Sequence, residues 1–378
     1  MNEAFYKIKS NVRLKELCLK GLKQRYGTAN KAIKNRLKYE LEVIRKANGE
    51  ECLLLLTEIV SFAKKERILL GPGRSTNAGS LALYAIGATK VDPLRFGLFF
   101  ESFLNPETLK FPLVTLDVEA GQEDKILNNI EYKYGKGKVF IAATYDKTKY
   151  SPKIIYIGLK VLALIAQIIK EVKKSKGIEL SIDNIPLTDK KVYNLISSGD
   201  TEDVFQFTGV GMRKLLLKLQ PKTIEDLSLA ICFYRPGVME VLPKLLKRRN
   251  GTVPIKYLHP KLEPILKGTY GFIGYREQVL QIAVQLAGFT LAQADELVTG
   301  LSKKNPEVIK KQKCLFVCGA SLKGVKEKTA ERIFKELELY TGYTSNRAHS
   351  ISWAILAYQA AYLKKYYLEE YKSFYKGQ

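Results

Sequence analysis

Apolar residues recur at helical spacing between residues 12 and 66. The positions fall three and four residues apart, as they do on the buried face of an amphipathic helix. They are Leu14, Leu17, Cys18 and Leu22, then Leu37, Leu41 and Ile44, then Cys52 to Leu56, Ile59, Val60 and Ala63. The pattern predicts two or three helices.

A short strand is predicted where this helical region ends. Ile68 to Leu70 is apolar and runs directly into Gly71-Pro72-Gly73, a turn signal. Ser75-Thr76-Asn77 follows, and these residue types are favourable helix N-caps, so the unit is predicted to be strand, turn and helix. Phe111 to Val118 and Lys138 to Ala143 are two further strand candidates. A small mixed sheet packed on helices is expected.

Helical periodicity dominates from Tyr156 onward, interrupted by loops that contain Gly and Pro. The longest apolar stretch, Ile154 to Ile169, is predicted to be a buried helix too short to span a membrane. The fold class is therefore α+β, with a mixed-sheet unit at residues 1–155 and a mainly helical unit at residues 156–378. Because no repeat or flexible linker is evident, the two units are expected to dock on each other.

The chain is strongly basic along its whole length. It has 378 residues, and 62 Lys and Arg outnumber 38 Asp and Glu, which gives a formal net charge of +24. An excess of this size favours a polyanionic partner such as nucleic acid. A Lys-rich proteome would produce a similar composition, so charge alone leaves the partner open.

The cysteine pattern indicates a reduced, cytoplasmic protein. Five cysteines are scattered without paired spacing, so no disulfide framework is expected. Cys314 and Cys318 lie four residues apart, but no other metal-ligand pair is nearby, and small apolar residues in a helix explain them better than zinc does. The first ten residues lack the apolar segment of a secretory signal.

Two segments carry candidate chemistry. The Gly-rich stretch Gly71 to Ser80 could bring backbone N–H groups close to a phosphate, with Arg74 and the hydroxyls of Ser75 and Thr76 as further donors. A plain turn between a strand and a helix explains this stretch equally well. The second segment is the strand before Val118. Nucleotidyl transfer needs alternate acidic residues on one strand face to share two divalent cations, and this strand offers Asp117.

The string GPGRSTNAGSLALYAIGATKVDPLRFGLFFESFLNPE occupies residues 71–107. It resembles the palm of the bacterial DNA polymerase III α subunits, the C-family replicative polymerases, and the resemblance runs from about residue 12 to 370. Many segments similar to the family's fingers follow in the same order. They include Gly158-Leu-Lys160, Asp183-Asn-Ile-Pro-Leu187, Ser198-Gly-Asp-Thr201, Tyr234-Arg-Pro-Gly237, Thr269-Tyr-Gly271, Tyr275-Arg-Glu-Gln278, Lys303-Lys304 and Ala348-His-Ser350.

The resemblance implies a palm-like unit followed by a fingers-like unit that binds DNA. It implies template-directed DNA synthesis from deoxynucleoside triphosphates with Mg²⁺, for which Asp117 is the remaining catalytic carboxylate and metal ligand. Other replication proteins are implied as partners. The positions that match nucleotide-contacting segments of the family are Arg74, Ser75, Thr76, Lys153, Arg235, Lys303 and Lys304.

Several positions depart from the family pattern. The Asp-x-Asp pair falls on Thr115 and Asp117, and the third aspartate falls on Ile155, so two of three catalytic carboxylates are absent. Two arginines of the fingers fall on Val298 and Thr299. The similarity also passes over the thumb between Tyr145 and Lys153, and it leaves out the PHP, clamp-binding and other carboxy-terminal regions. Binding to a sliding clamp is therefore not expected.

Two basic features allow more than one interpretation. The run that contains Lys244, Lys247, Arg248 and Arg249 is predicted to contact DNA phosphates, although such runs are usually solvated helix faces. Arg235 could reach a triphosphate or fix its own loop through carbonyl groups. His349 is expected to be a structural residue, because a lone His on a packed helix rarely transfers protons.

Two functions from different classes remain. The first is a divergent replication enzyme that binds DNA and still transfers nucleotides, using an acid outside the family pattern to rebuild the metal site. Because two of three carboxylates are absent, its DNA synthesis is expected to be weak or lost. The second is a non-catalytic DNA-binding or replisome-interacting protein derived from a polymerase and carried by a phage or mobile element.

Overall fold

The amino-terminal part consists of helices packed on a small sheet. The computed structural model describes residues 3–136, 139–141 and 154–376. The helices of this part are α1 (Glu3–Tyr26), α2 (Lys31–Lys46), α3 (Glu50–Lys65), α4 (Leu81–Ala85) and α5 (Glu123–Tyr134). The strands are β1 (Val114–Glu119), β2 (Val139–Ile141) and β3 (Ile154–Leu159). The helices predicted between residues 12 and 66 are confirmed as α1, α2 and α3.

The described strands form one sheet with the order β1-β3-β2 and parallel pairing throughout. Leu70 adds one antiparallel bridge to Val118 of β1. The predicted strand at residues 68–70 is thus a single bridge, and the expected mixed sheet is a parallel sheet with this bridge at its edge. Of the predicted strand at residues 138–143, the structure describes residues 139–141, and these form β2.

Strand β3 corrects the prediction of a helix from Ile154 to Ile169. The first six residues form the central strand, and α6 begins at Lys160. A continuous apolar run has no period that separates a buried strand from a buried helix. Three β-branched residues, Ile154, Ile155 and Ile157, favour the extended conformation. Strand β1 pairs with all three, and β2 pairs with Ile154 and Ile155 on the other edge.

The remainder of the described chain is helical. The helices are α6 (Lys160–Lys176), α7 (Lys190–Ser197), α8 (Val210–Leu219), α9 (Ile224–Phe233), α10 (Leu242–Arg249), α11 (Glu263–Leu266), α12 (Arg276–Ala287), α13 (Leu291–Ser302), α14 (Pro306–Leu322), α15 (Glu327–Tyr340), α16 (Arg347–Tyr366) and α17 (Leu368–Lys376). Together with the sheet they confirm the α+β class. Among the described helices, none combines the length and apolar character that a membrane crossing needs.

Separate hydrophobic clusters organise these elements. The first packs α1 to α5 against one face of the sheet. The second packs α6 to α9 around the long helix α16, and the third joins α11 to α15. Ala78, Val91, Phe96 and Leu98 belong to the second cluster although they precede the sheet. The predicted division between residues 155 and 156 falls inside β3, and it stays a prediction.

Cys314 and Cys318 lie on α14, as predicted for helical residues, but both are exposed and do not belong to a core. All five cysteines are free thiols. The described residues contain no group of three or more His, Cys, Asp or Glu side chains arranged to hold a metal ion.

Candidate functional site

The Gly71–Ser80 loop crosses the edge of β1 and differs from the predicted strand, turn and helix. Residues Asn77–Gly79 form one 3-10 turn, and α4 begins only at Leu81 with Ser80 as its N-cap. The predicted N-caps Ser75, Thr76 and Asn77 do not cap a helix. Asn77 instead donates from Nδ2 to the carbonyl of Thr115 at 2.9 Å, which fastens the loop to β1. The amino end of the five-residue α4 is occupied by Glu40, whose Oε2 accepts hydrogen bonds from the Ser80 hydroxyl and the Ala82 N–H at 2.9 and 3.0 Å.

The loop lies very close to β1 at Gly71. Its N–H donates to the carbonyl of Asp117 at 2.8 Å. A Cβ placed on Gly71 would lie 2.6 Å from the Cβ of Asp117, closer than real Cβ atoms approach. Glycine is therefore required here by the short distance between the two backbones.

Arg74 and Asp117 form a largely buried ion pair beneath this loop. Arg74 Nε lies 2.6 Å from Asp117 Oδ1, and the side chains of Arg74 and Asp117 are 21% and 0% exposed. Asp117 Oδ2 is also buried and has no hydrogen-bond partner among the described residues. Burial raises the pKa of Asp117, and the charge and hydrogen bond of Arg74 oppose that rise. Asp117, the candidate catalytic carboxylate, is thus ion-paired with Arg74, the residue that was expected to contact a triphosphate.

The strand face that carries Asp117 also carries Thr115 and Glu119. Val114, Leu116 and Val118 alternate with them and belong to the first core cluster, so the two sets point to opposite faces. On β3, Ile155 pairs with Thr115 and Ile157 pairs with Asp117. On this face, the Thr115 hydroxyl and the aliphatic side chains of Ile155 and Ile157 therefore lie beside Asp117.

Glu119 is a second acid on this face. It is buried, and its Oε2 accepts a hydrogen bond from the backbone N–H of Leu69 at 3.2 Å. Asp117 and Glu119 are thus alternate acids on one strand, of which the sequence analysis singled out Asp117 alone. The signal was the Asp-x-Glu spacing itself.

These side chains do not fit a pair of divalent cations. Hard cations such as Mg²⁺ are held by several oxygen ligands with charge to balance theirs. Here Thr115 and Ile155 occupy neighbouring positions, Arg74 neutralises one oxygen of Asp117, and Glu119 is bonded to the backbone. Asp117 and Arg74 therefore form an internal ion pair and not part of a metal site.

The other side of the loop rests on the beginning of α16. The N–H of Ser75 donates to Nδ1 of His349 at 3.4 Å, and Asn346 donates to the Ser75 hydroxyl at 3.4 Å. The Arg74 guanidinium carbon lies 5.3 Å from the centre of the Trp353 ring. Burial, with Arg74 and Arg235 nearby, lowers the pKa of His349 to about 4. A neutral His349 that accepts a hydrogen bond agrees with its predicted structural role.

Arg235 fixes its own loop, one of the two alternatives that the sequence left open. Its Nε donates to the carbonyl of Cys232 at 3.1 Å, and its Nη2 donates to the carbonyl of Tyr343 at 2.7 Å. The Lys304 ammonium lies 5.7 Å from the centre of the Tyr343 ring, whereas Lys303 is exposed at the end of α13. Tyr343 therefore brings two of the predicted nucleotide contacts, Arg235 and Lys304, to one place.

A cleft of about 240 Å³ lies where these parts meet, and Arg235 and His349 line it. Arg74 and Ser75 do not line the cleft, but they contact Trp353 and His349 in its wall. Thr76 is half-buried on the loop. Lys153 lies outside the described residues. The Val298 side chain is fully buried in the third cluster, away from solvent.

The basic run on α10 divides into structural and exposed residues. Arg249 Nη2 lies 2.9 Å from Asp226 Oδ1, and Arg249 also donates to the carbonyl of Leu219. Arg248 donates to the carbonyl of Tyr270 at 2.7 Å. Lys244 and Lys247 are exposed. Arg248 and Arg249 therefore stabilise the fold, and of the predicted DNA-contacting run Lys244 and Lys247 are free to contact DNA.

The comparisons with known proteins identify the class. The model of the bacterial DNA polymerase III alpha NTPase domain matches residues 12–209, and the model of the finger domain of the same subunit matches residues 161–324. The chain belongs to the bacterial DNA polymerase III alpha family. This places it among proteins related to DNA replication.

Individual relatives carry the name DNA polymerase III subunit alpha. The chain is 31% identical to that of Staphylococcus epidermidis over 88% of its own length and 42% of the relative. It is 30% identical to the proteins of Halalkalibacterium halodurans and Staphylococcus aureus, over 94% and 88% of its length. The chain spans about two fifths of the length of these relatives.

The alignment with the Staphylococcus epidermidis protein extends over 442 positions, whereas the chain has 378 residues. That relative therefore contains residues inside the matched region that this chain lacks. An internal deletion was expected from the sequence between Tyr145 and Lys153.

Proposed function

We propose that this chain is a DNA-binding protein of DNA replication in which template-directed DNA synthesis is weak or lost. Family membership supports the association with replication. The observation that carries the second half of the proposal is the ion pair between Arg74 and the buried Asp117, next to Thr115 and Ile155.

The loss of activity follows from the chemistry of phosphoryl transfer. Two divalent cations stabilise the attacking and leaving oxygens, and removing one stabilising group from an active site typically costs about 10²–10³ in rate. Two carboxylate positions are occupied by Thr115 and Ile155, and the third carboxylate is paired with Arg74. An Asp117 that must first lose Arg74 is a poor metal ligand.

The proposed partners are DNA and deoxynucleoside triphosphates in the cytoplasm, with other replication proteins. The net charge of +24 supports contact with phosphates. The cleft beside the beginning of α16 is the proposed nucleotide site, because Arg235 and His349 line it and Ser75 is bonded to His349. Thr76, Lys303 and Lys304 stay proposed nucleotide contacts through the family resemblance alone. Lys244 and Lys247 are the proposed DNA contacts on α10.

Primer extension by the purified full chain tests the proposal. The reaction contains a primed template, the four deoxynucleoside triphosphates and either Mg²⁺ or Mn²⁺, with Asp117→Ala as the matched control for a contaminating polymerase. We expect DNA binding in a mobility-shift assay and no extension above the control. Extension that disappears in Asp117→Ala would contradict the loss of activity.

DNA binding has its own test, because it depends on charge. Neutralising several phosphates releases counterions, so the affinity for DNA should fall steeply as salt rises from about 50 to 200 mM. Fluorescence anisotropy with a labelled oligonucleotide measures this slope. A flat salt profile would contradict phosphate contact.

A surviving nucleotidyltransferase is the second candidate, and one observation favours it. Asp117 and Glu119 alternate on β1, which is the spacing that a pair of metal-binding acids requires. This candidate predicts extension that is abolished by Asp117→Ala and also by Glu119→Gln. Extension that persists in Glu119→Gln would remove Glu119 from that role.

A further inference from the structure

A second concave site lies away from the Gly71–Ser80 loop, where α10, the segment 256–258, the turn 271–273 and α15 meet. It has a volume of about 290 Å³. Four of its lining residues are cations, namely Lys244, Arg248, Lys256 and Arg332, and its one acid is Glu336. Cations therefore exceed acids by three in a space smaller than typical ligand pockets.

Arg248 is held rigidly in this pocket. Its Nη1 donates to the carbonyl of Tyr270 at 2.7 Å, and its guanidinium carbon lies 4.4 Å from the centre of the Phe272 ring. Gly271 between them has φ of +82°, and a Cβ there would lie 2.8 Å from Arg248 Nη1. Because the guanidinium is already ordered, an anion that binds it does not have to immobilise a flexible side chain.

The same guanidinium has an unused donor. Arg248 Nε is buried and has no hydrogen-bond partner among the described residues. A buried N–H without a partner costs free energy, so such groups are usually satisfied by a ligand, a water or an ion. This distinguishes the pocket from an ordinary solvated basic surface.

The other three cations are exposed and form no close ion pair within the described part of the chain. Lys244, Lys256 and Arg332 are exposed, and none of them forms an ion pair with any residue that the structure describes. Glu336 interacts electrostatically with Arg332, Arg248 and Lys244, and burial raises its pKa. Even with Glu336 ionised, the pocket keeps an excess of positive charge for an incoming anion.

We propose that this pocket holds a phosphate group of a nucleic-acid backbone. The small volume suits one phosphate and not a whole nucleotide, and a diester leaves the neighbouring sugars and bases outside. The cations come from α10, the segment 256–258 and α15. Contacts to a phosphate position the nucleic-acid strand but carry no information on its base sequence. The inference rests on the proposed DNA binding and assigns Lys256 and Arg332, which lie outside the basic run on α10.

Charge-removal variants test the pocket by fluorescence anisotropy with a labelled single-stranded oligonucleotide. Lys256→Gln with Arg332→Gln removes two exposed, unpaired cations, and folding is checked by circular dichroism. We expect the affinity to fall about tenfold at low salt and the salt slope to decrease by about one to two. The matched control is Lys15→Gln with Lys20→Gln on α1, which removes the same charge and should change the affinity less than about twofold. Equal losses in both variants would overturn the proposal.

Glu336→Gln provides a second test, in which the expected result is tighter DNA binding, a result that a misfolded variant would not give. It removes the one acid of the pocket and keeps all four cations, so we expect DNA to bind about threefold or more tightly at pH 8. No change or weaker binding by the folded variant would contradict a phosphate in this pocket.

A competition experiment distinguishes a phosphate of the nucleic-acid backbone from the phosphate of a free nucleotide. Inorganic phosphate and dATP are each titrated against the bound oligonucleotide, and direct dATP binding is measured by calorimetry. If Lys256→Gln with Arg332→Gln loses dATP binding and keeps DNA binding, the pocket serves a free nucleotide and the backbone proposal is overturned. A wild-type chain that does not bind DNA would refute the proposed function, whereas wild-type binding with pocket variants equal to the control would refute the pocket alone.

Discussion

Thr115 of β1 and Ile155 of β3 are register partners on adjacent parallel strands, on the sheet face that carries Asp117. Ile154 and Tyr156 belong to the first core cluster and Ile155 does not, which agrees with this orientation. Two residues that are distant in sequence thus flank one carboxylate, and neither of them supplies an oxygen with negative charge.

Acids placed at these two positions should create a cation site. Thr115→Asp with Ile155→Asp puts three carboxylates together in a buried place, so we expect lower thermal stability without metal, because the charges repel and are poorly solvated. Mn²⁺ should then raise the unfolding temperature of this variant more than that of the wild type. Differential scanning fluorimetry measures both values. Adding Asp117→Asn should reduce the gain, and an equal gain without Asp117 would contradict the assignment.

The ion pair between Arg74 and Asp117 should behave as a buried pair. Arg74→Met leaves the Asp117 carboxylate buried without a partner, and we expect the free energy of unfolding to fall by about 3–5 kcal/mol. Arg74→Met with Asp117→Leu should recover much of this loss, because no uncompensated charge remains. Urea unfolding of the single and double variants measures the difference.

An exposed ion pair offers the control for that experiment. Lys90 Nζ lies 2.8 Å from Asp183 Oδ2, and both side chains are partly exposed. Lys90→Met should cost less than about 1 kcal/mol. Equal losses in Lys90→Met and Arg74→Met would show that burial does not control the Arg74 pair.

Gly71 should tolerate no larger side chain. Gly71→Ala forces a new Cβ against that of Asp117, and we expect a loss of about 1–3 kcal/mol in the free energy of unfolding. Gly342→Ala is the matched control, because a Cβ there meets no atom within 4 Å. Chemical denaturation of both variants measures the contrast, and a Gly71→Ala chain as stable as the control would refute the close approach.

His349 should make stability depend on pH. Its pKa is lowered to about 4 in the folded chain from an ordinary value near 6.5, so the unfolded chain takes up the proton first as pH falls. The contribution is present above pH 6.5 and is lost as pH falls toward 4, by at most ~3 kcal/mol. Unfolding of wild type and His349→Gln across this range isolates the effect. Parallel pH profiles of the two proteins would contradict it.

The sequence predicted the large features of the fold and only part of the site. Helical spacing identified α1 to α3, because their buried faces are regular. Strand β3 was missed, because a run buried on both faces shows no period. Asp117 was found through its strand, but its pairing with Arg74 depends on how closely Gly71 brings the loop to β1, which no local pattern encodes.

Long-range contacts explain the other differences. Arg235 and Arg249 have the composition of phosphate ligands, yet they donate to the carbonyls of Tyr343 and Leu219, which lie 108 and 30 residues away in sequence. The pocket cations Lys256 and Arg332 are separated by many residues and carry no motif. They come together only because α15 and the segment 256–258 line the same pocket in the fold.

Helix α16 packs against α7 and α9 and also against the Gly71–Ser80 loop. The second core therefore joins residues near position 78 to residues near position 354. During synthesis on the ribosome, α6 to α9 cannot bury their apolar faces fully until α16 has emerged. Such non-local closure slows folding and leaves a nascent intermediate exposed to chaperones and proteases.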